Sequence, residues 1–429
     1  MDGGYLAQLK RSFEILNPGH SGRWFRNSLA IQLVSHAINE GQDMKFSFTD
    51  EQQQFRDFVR KFMEANSSAT EVRRLMETKQ GYDKEVWLNL AASLGLQGLH
   101  IPEEYGGQGF GPIELCIALE EMGRCLLCSP FFGSSVLATQ AILQAGNEDE
   151  KQALLPGLAA GSKIAALALA EPEGIWDASG INMTATSNDN EYLLNGSKSF
   201  VVDAQVADYI VVVARTKDTT GEGGISFFTV DRAAQGLEKQ LLSTIDETRK
   251  LSCLTFENVV AKSLGEVGNG DGALKQTLIY CYIALANEMV GGAQKLLESA
   301  LDYAKLRVQF GRTIGSFQVT KHKCADLLLE VELAKSAAYY AAEAAAENSS
   351  DLASTASLAK ALASDTFMHV AAETIQIHGG IGFTWENDTH LYFKRAKSSE
   401  VFLGVPALHR ERLLHESEQE LNRLNKVAN

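Results

Sequence analysis

No apolar run in the 429-residue sequence approaches the roughly 20 residues that a membrane-spanning helix requires. Cysteine is scarce. Its six positions, Cys116, Cys125, Cys128, Cys253, Cys281 and Cys324, read as reduced thiols of a cytoplasmic protein rather than as a disulfide framework. Cys125 and Cys128 form a lone CxxC, and no second cysteine pair or histidine pair stands at zinc spacing. The pair therefore reads as packing residues, and no metal is expected. Positive charge is in deficit: 39 Lys and Arg face 54 Asp and Glu, a formal net charge of −15. Such a chain is poorly suited to nucleic acid or an anionic membrane, and would take an anionic ligand only through a locally basic pocket. Residues 1–43 lack the apolar core and cleavage site of a secretory signal, and Asp2, Glu14, Glu40 and Asp43 make them a poor organellar transit peptide. They read as an upstream extension, or as a short helical appendage, ahead of a domain that starts at Met44.

What is present is the composition of an ordinary globular protein, 45% hydrophobic and 22% charged, long enough for two or three domains. Residues 44–162 read as helical. Thr49 caps a first helix with Gln52 three residues on, a capping box, and Phe55, Phe58, Val59, Phe62 and Met63 recur on one face. Residues 163–268 change to short apolar or alternating runs separated by Asn, Asp and Gly turns, Asn195-Gly196 among them. No helical pattern interrupts them, so an antiparallel β domain is expected and a parallel Rossmann sheet is not. Residues 269–429 return to longer, alanine-rich helices, a bundle. The fold class is α+β: helical domain, antiparallel β domain, helical bundle.

Four motifs stand on these elements. They are "IPEEYGGQG" (Ile101 to Gly109), "AEPEG" (Ala170 to Gly174), "RVQFGRTIGSFQVTKHKCAD" (Arg307 to Asp326) and "QIHGGIGF" (Gln376 to Phe383). Together and in this order they resemble the acyl-CoA dehydrogenase family, a resemblance that covers Phe46 to about Leu424. It implies an FAD-dependent oxidation of an acyl-CoA thioester between its α and β carbons. A carboxylate base takes the α proton, hydrogen bonds stabilise the developing enolate-like charge, and the flavin accepts the hydride. In the family, FAD lies across a subunit interface. One subunit holds the flavin ring and substrate; its neighbour holds the adenosine diphosphate end through the R-x-x-F-G and Q-x-x-G-G segments.

Carried over residue by residue, the resemblance gives different answers for the two halves. The diphosphate half looks intact, with Arg307, Phe310, Gln318, Gln376, Gly379 and Gly380 in place; a guanidinium makes charge-assisted bonds to pyrophosphate and glycines admit a ligand without Cβ hindrance. The flavin half looks damaged. After Glu171-Pro172, the family's G-x-G-S reads Glu173, Gly174, Ile175 and Trp176. The preceding threonine is Ala170, and the W-[IV]-[ST] strand reads Phe200-Val201-Val202. Leu403 stands where much of the family has its base, and Cys281 where other members carry it; a thiol with a reference pKa near 8.5 is not the family's choice. Glu400 and Glu288 lie near those positions and read as solvated or interface glutamates.

Three readings follow. The first is a non-catalytic subunit of a hetero-oligomeric (α2β2) acyl-CoA dehydrogenase, of the type used in bacterial steroid side-chain and related lipid degradation. It would lend the ADP half of the site to a paralogous partner, its own flavin pocket being empty or blocked by Trp176. The second is a self-sufficient homotetramer with a relocated base. The third is a structural or CoA-binding relic. The resemblance further implies an electron-transferring flavoprotein as electron acceptor.

Overall fold

The computed structural model describes residues 48–188 and 191–427, with side chains as far as residue 416. Residues 1–43 and the expected domain start at Met44 lie outside the described residues. The first six helices are α1 (Asp50–Asn66), α2 (Ala69–Met76), α3 (Lys84–Leu94), α4 (Pro112–Arg124), α5 (Thr139–Ala145) and α6 (Glu148–Ala159), with a π-helical turn, Phe132–Ala138, running into α5. The Thr49 hydroxyl accepts from the Gln52 amide, and the Gln52 side chain returns to the Thr49 amide, so α1 starts at the capping box. Val59 and Met63 are buried on the expected face, while Phe58 turns out to solvent.

Seven strands follow: β1 (Ala165–Ala168), β2 (Thr184–Asn188), β3 (Glu191–Val202), β4 (Tyr209–Thr216), β5 (Ile225–Asp231), β6 (Leu237–Leu241) and β7 (Leu251–Leu264). Strands β4, β2, β3, β7 and β5 pair in turn and β5 closes on β4, a ring that leaves few free edges. Most pairs are antiparallel, as expected, but β1 and β2 each run parallel to β4. The Asn195-Gly196 turn is corrected. The two residues lie inside β3 as a bulge, with the register against β7 slipping between Leu194 and Gly196. Pairing along the long β7 strand outweighs the local turn preference, and the glycine takes the φ of +141° that the bulge needs.

The bundle comprises α7 (Asp271–Leu306), α8 (Gln318–Glu347), α9 (Leu352–His378), α10 (Thr389–Val401) and α11 (Pro406–Val427), with a two-stranded hairpin, β8 (Val308–Gln309) and β9 (Arg312–Thr313), between α7 and α8. Every residue of α7 from Cys281 to Ala293 is buried, the mark of a helix surrounded on all sides. Where α7 crosses α4 the two backbones touch. A Cβ on Gly123 would meet the Glu288 carbonyl oxygen at 1.9 Å, and one on Gly291 would meet that of Glu120 at 1.9 Å. Ion pairs Arg56–Glu120 (2.9 Å) and Arg60–Glu121 (2.7 Å) join α1 to α4 beside this crossing.

Candidate functional site

The positions that the resemblance assigns to flavin contact and to the base come together. Trp176, Phe200, Val202, Cys281, Phe402 and Leu403 line one void, whose free space is about 10 Å³, room for roughly one water molecule. Each is held in place by its own element. The Glu171 carboxylate accepts from the amides of Asn182 (2.9 Å) and Met183 (2.8 Å) and from the buried Lys198 ammonium (2.9 Å). Asp177 pairs with Arg412 at 2.9 Å. The loop between is fixed at both ends and turns Trp176 inward, edge-on to Phe402 at 4.9 Å and tilted against Phe200 at 6.4 Å. Burial pushes Glu171 up, but Lys198 and the two amides outweigh it and leave the carboxyl below its usual range.

Leu403 follows α10 with φ +59°, as does Phe200 in β3, a left-handed conformation that is rare for bulky residues. The Lys360 ammonium donates to the carbonyls of Ser399, Glu400 and Gly404 (3.1, 2.9 and 2.7 Å) and the His409 ring bonds the Leu403 carbonyl at 3.1 Å. These bonds pin the segment so that Phe402 and Leu403 fill the void. None of the void's lining side chains is a carboxylate or imidazole. Cys281 is fully buried and burial pushes its thiol far up, so it does not ionise near neutral pH. Cys125 and Cys128, in the CxxC, are likewise pushed up to about 11 and about 12 by burial. No disulfide joins the six cysteines, and no group of metal-ligating side chains occurs among the described residues.

The reading of Glu288 as a solvated or interface residue is corrected. It is buried, and both its oxygens accept from Arg249 (2.6 and 2.5 Å), with Arg395 at 3.3 Å. Arg395 also donates to Asp246 (2.8 Å) and Thr248 (2.6 Å), and the Arg249 guanidinium lies 4.6 Å from the Phe132 ring centre and 5.9 Å from that of Phe402. Two guanidiniums neutralise two carboxylates here. Asp203, the third carboxylate near them, is pushed up to about 7 by burial despite the pull of Arg249 and Arg395. Glu400 is partly exposed and pairs with Lys397 at 2.6 Å. No spacing in the sequence announces the Arg249–Glu288–Arg395–Asp246 cluster.

The six expected diphosphate residues gather at the far end of the bundle. Arg307 follows the last turn of α7, exposed, with no side-chain partner among the described residues. Phe310 and Gly311, at φ +54° and +73°, make the tip of the β8–β9 hairpin, a type I′ arrangement, and Phe310 is 93% exposed. Gln318 is the first residue of α8, whose N-terminus has no side-chain cap, so its first amides stay available to an anion. Gln376 is exposed in the last turn of α9. Beyond His378, Gly379 takes φ +64° and Gly380 an ordinary φ, and a Cβ on either would meet nothing within 4 Å. Nothing among the described residues, then, requires a glycine at position 380. Phe383 beside them is 82% exposed. The Tyr303 and His378 rings, stacked at 4.3 Å, and the Lys323–Glu373 pair at 2.5 Å bring this set to one end of the bundle. The sequence reading passed over both pairs.

The open end suits a diphosphate: a free guanidinium, uncapped amides and a side-chain-free backbone. The aromatic void does not suit a flavin ring. Cys281 at the void and Tyr303 at the open end lie 22 residues apart on α7, about 33 Å at 1.5 Å per residue.

Three family models match in succession: the acyl-CoA dehydrogenase N-terminal domain over residues 49–162, the middle domain over 166–259 and the C-terminal domain over 268–417. The acyl-CoA dehydrogenase IpdE2 of Mycobacterium tuberculosis is 36% identical over 357 residues, covering 83% of this chain and 94% of that one. The butyryl-CoA dehydrogenase of Megasphaera elsdenii superposes with a TM-score of 0.81 at 32% identity, over 86% of this chain and 98% of that one. A chain of the ChsE4-ChsE5 complex of Mycobacterium tuberculosis superposes with a TM-score of 0.79 at 25% identity, over 87% and 99%.

Proposed function

The chain belongs to the acyl-CoA dehydrogenase family of FAD-dependent CH–CH oxidoreductases, and on that premise we propose that it is the non-catalytic subunit of a hetero-oligomeric acyl-CoA dehydrogenase. The observation that carries this reading is the void lined by Trp176, Phe200, Val202, Cys281, Phe402 and Leu403, closed to about one water and without a base. Similarity to a member of the ChsE4-ChsE5 complex supports a paired assembly. FAD, when bound, supplies the hydride acceptor. This chain's part is to hold the diphosphate end. Arg307 neutralises charge, the amides at Gly379, Gly380 and the α8 start donate, and Phe310 and Gln318 stand beside the nucleotide. The proton-abstracting carboxylate and the flavin ring's contacts come from a paralogous partner. A relocated base within this chain finds no support, since Glu288 is already held by two arginines and a base has to reach its proton at about 3 Å.

Expressed alone, the chain should purify colourless. Co-expressed with a paralogous dehydrogenase chain that has the missing glutamate, it should give a yellow complex that oxidises acyl-CoA. A yellow, active protein purified alone would overturn the reading.

A further inference from the structure

The two halves of the open end sit on different helices. Arg307 belongs to the end of α7 and Gly379-Gly380 to the end of α9, and a rigid diphosphate needs them at one separation. The exposed neighbours Leu306, Phe310 and Phe383 give these ends little packing of their own. Tyr303 and His378 close the gap. Their rings stack at 4.3 Å and 20°. The Tyr303 carbonyl accepts the Arg307 amide at 2.8 Å, so ring and guanidinium are one helical turn apart. His378 is covalently next to Gly379, and its Nδ1 lies 2.8 Å from the Thr374 carbonyl. A carbonyl can only accept, so Nδ1 carries the proton and the bond fixes the ring's orientation. Two turns back along α7 the Thr374 hydroxyl donates to the Leu296 carbonyl at 3.4 Å, and the Lys323–Glu373 pair joins α8, not α7, to α9 through half-exposed side chains that solvent screens.

We propose that Tyr303 and His378 are positioning residues for the diphosphate, their ring stack holding the Arg307 guanidinium and the Gly379-Gly380 backbone at a set distance. The inference rests on the reading of this end as the ADP clamp. In the complex with the catalytic partner, FAD dissociation is followed by flavin fluorescence. Tyr303→Leu and His378→Leu keep apolar bulk and lose the stack; each should speed FAD release about two- to tenfold, the range of an aromatic pair. Tyr303→Phe and His378→Phe keep a ring and should restore retention to nearly that of the unmodified complex. The double Leu variant should be no worse than either single one, the signature of a shared contact. Methionine substitutions carry the same readout where a Leu variant fails to assemble. Unchanged release in the ring-less variants, or Phe variants as leaky as Leu, would overturn the proposal while Arg307→Ala still releases FAD. If Arg307→Ala also retains FAD, the clamp reading itself falls and takes this inference with it.

Discussion

Just beyond the C-terminal end of α7 the Arg307 guanidinium and the Phe310 and Phe383 rings stand out in solvent; 26 residues before Arg307, within α7, Cys281 packs against a void the size of one water. The two regions share a helix and differ in what completes them. The void is completed by the chain itself, with Trp176 and Phe402 edge to face and Leu403 pinned by Lys360 and His409. The open end is built of groups, Arg307, Phe310 and Gly380 among them, that the rest of the described residues leave exposed. Substitutions should therefore divide in two. Those at the void should change stability and leave cofactor retention alone, and those at the open end should do the reverse.

The largest effect is expected behind the void. Glu288→Ala leaves Arg249 and Arg395 buried without their shared carboxylate, which should cost about 3–5 kcal/mol in denaturant unfolding, with FAD content per assembled complex unchanged. Next comes a pH effect. Asp203 rises from an ordinary 3.8 to about 7 on folding, so the unfolded chain gives up this proton first as pH rises. Folded stability should fall between about pH 4 and pH 7, by roughly 1.4 kcal/mol per pH unit where only this group titrates, and level off above. Asp203→Asn should flatten that decline when urea midpoints are compared across the range. At the open end, Arg307→Ala removes a charge-assisted contact, and FAD should leave the proposed complex about ten- to hundredfold faster with the melting temperature unmoved. Gly380→Ala puts a methyl where none of the described residues meets it; titration should show FAD affinity down by roughly fivefold and no change in unfolding. Loss of stability there instead would break the comparison. The smallest effect belongs to Leu403→Met, a near-isosteric swap at the family's base position, which should leave turnover of the complex within about twofold.

The sequence carried the division of elements and the two sets of site positions because those signals are local. A capping box spans four residues, and a leucine or a glycine declares its own chemistry. Glu288 was misread because its arginine partners lie 39 and 107 residues away. Asn195-Gly196 was misread because a turn signal is local while the pairing of β3 with β7 is not. The closure of the void was legible as lost hydroxyls, a lost carboxylate and a tryptophan, Trp176, at the end of the flavin loop. That Phe200 and Phe402 close around Trp176 needed the three rings to be placed side by side, from three separate segments.

The crossing of α4 and α7 has a consequence for anyone exchanging parts between relatives. Each helix there presents a bare glycine to the other's carbonyl, at Gly123 and Gly291. A chimera that imports one helical domain with an alanine at its glycine would drive a methyl into the opposite backbone, and no side-chain adjustment relieves that. The two domains are separate in sequence, but they must be grafted as a matched pair.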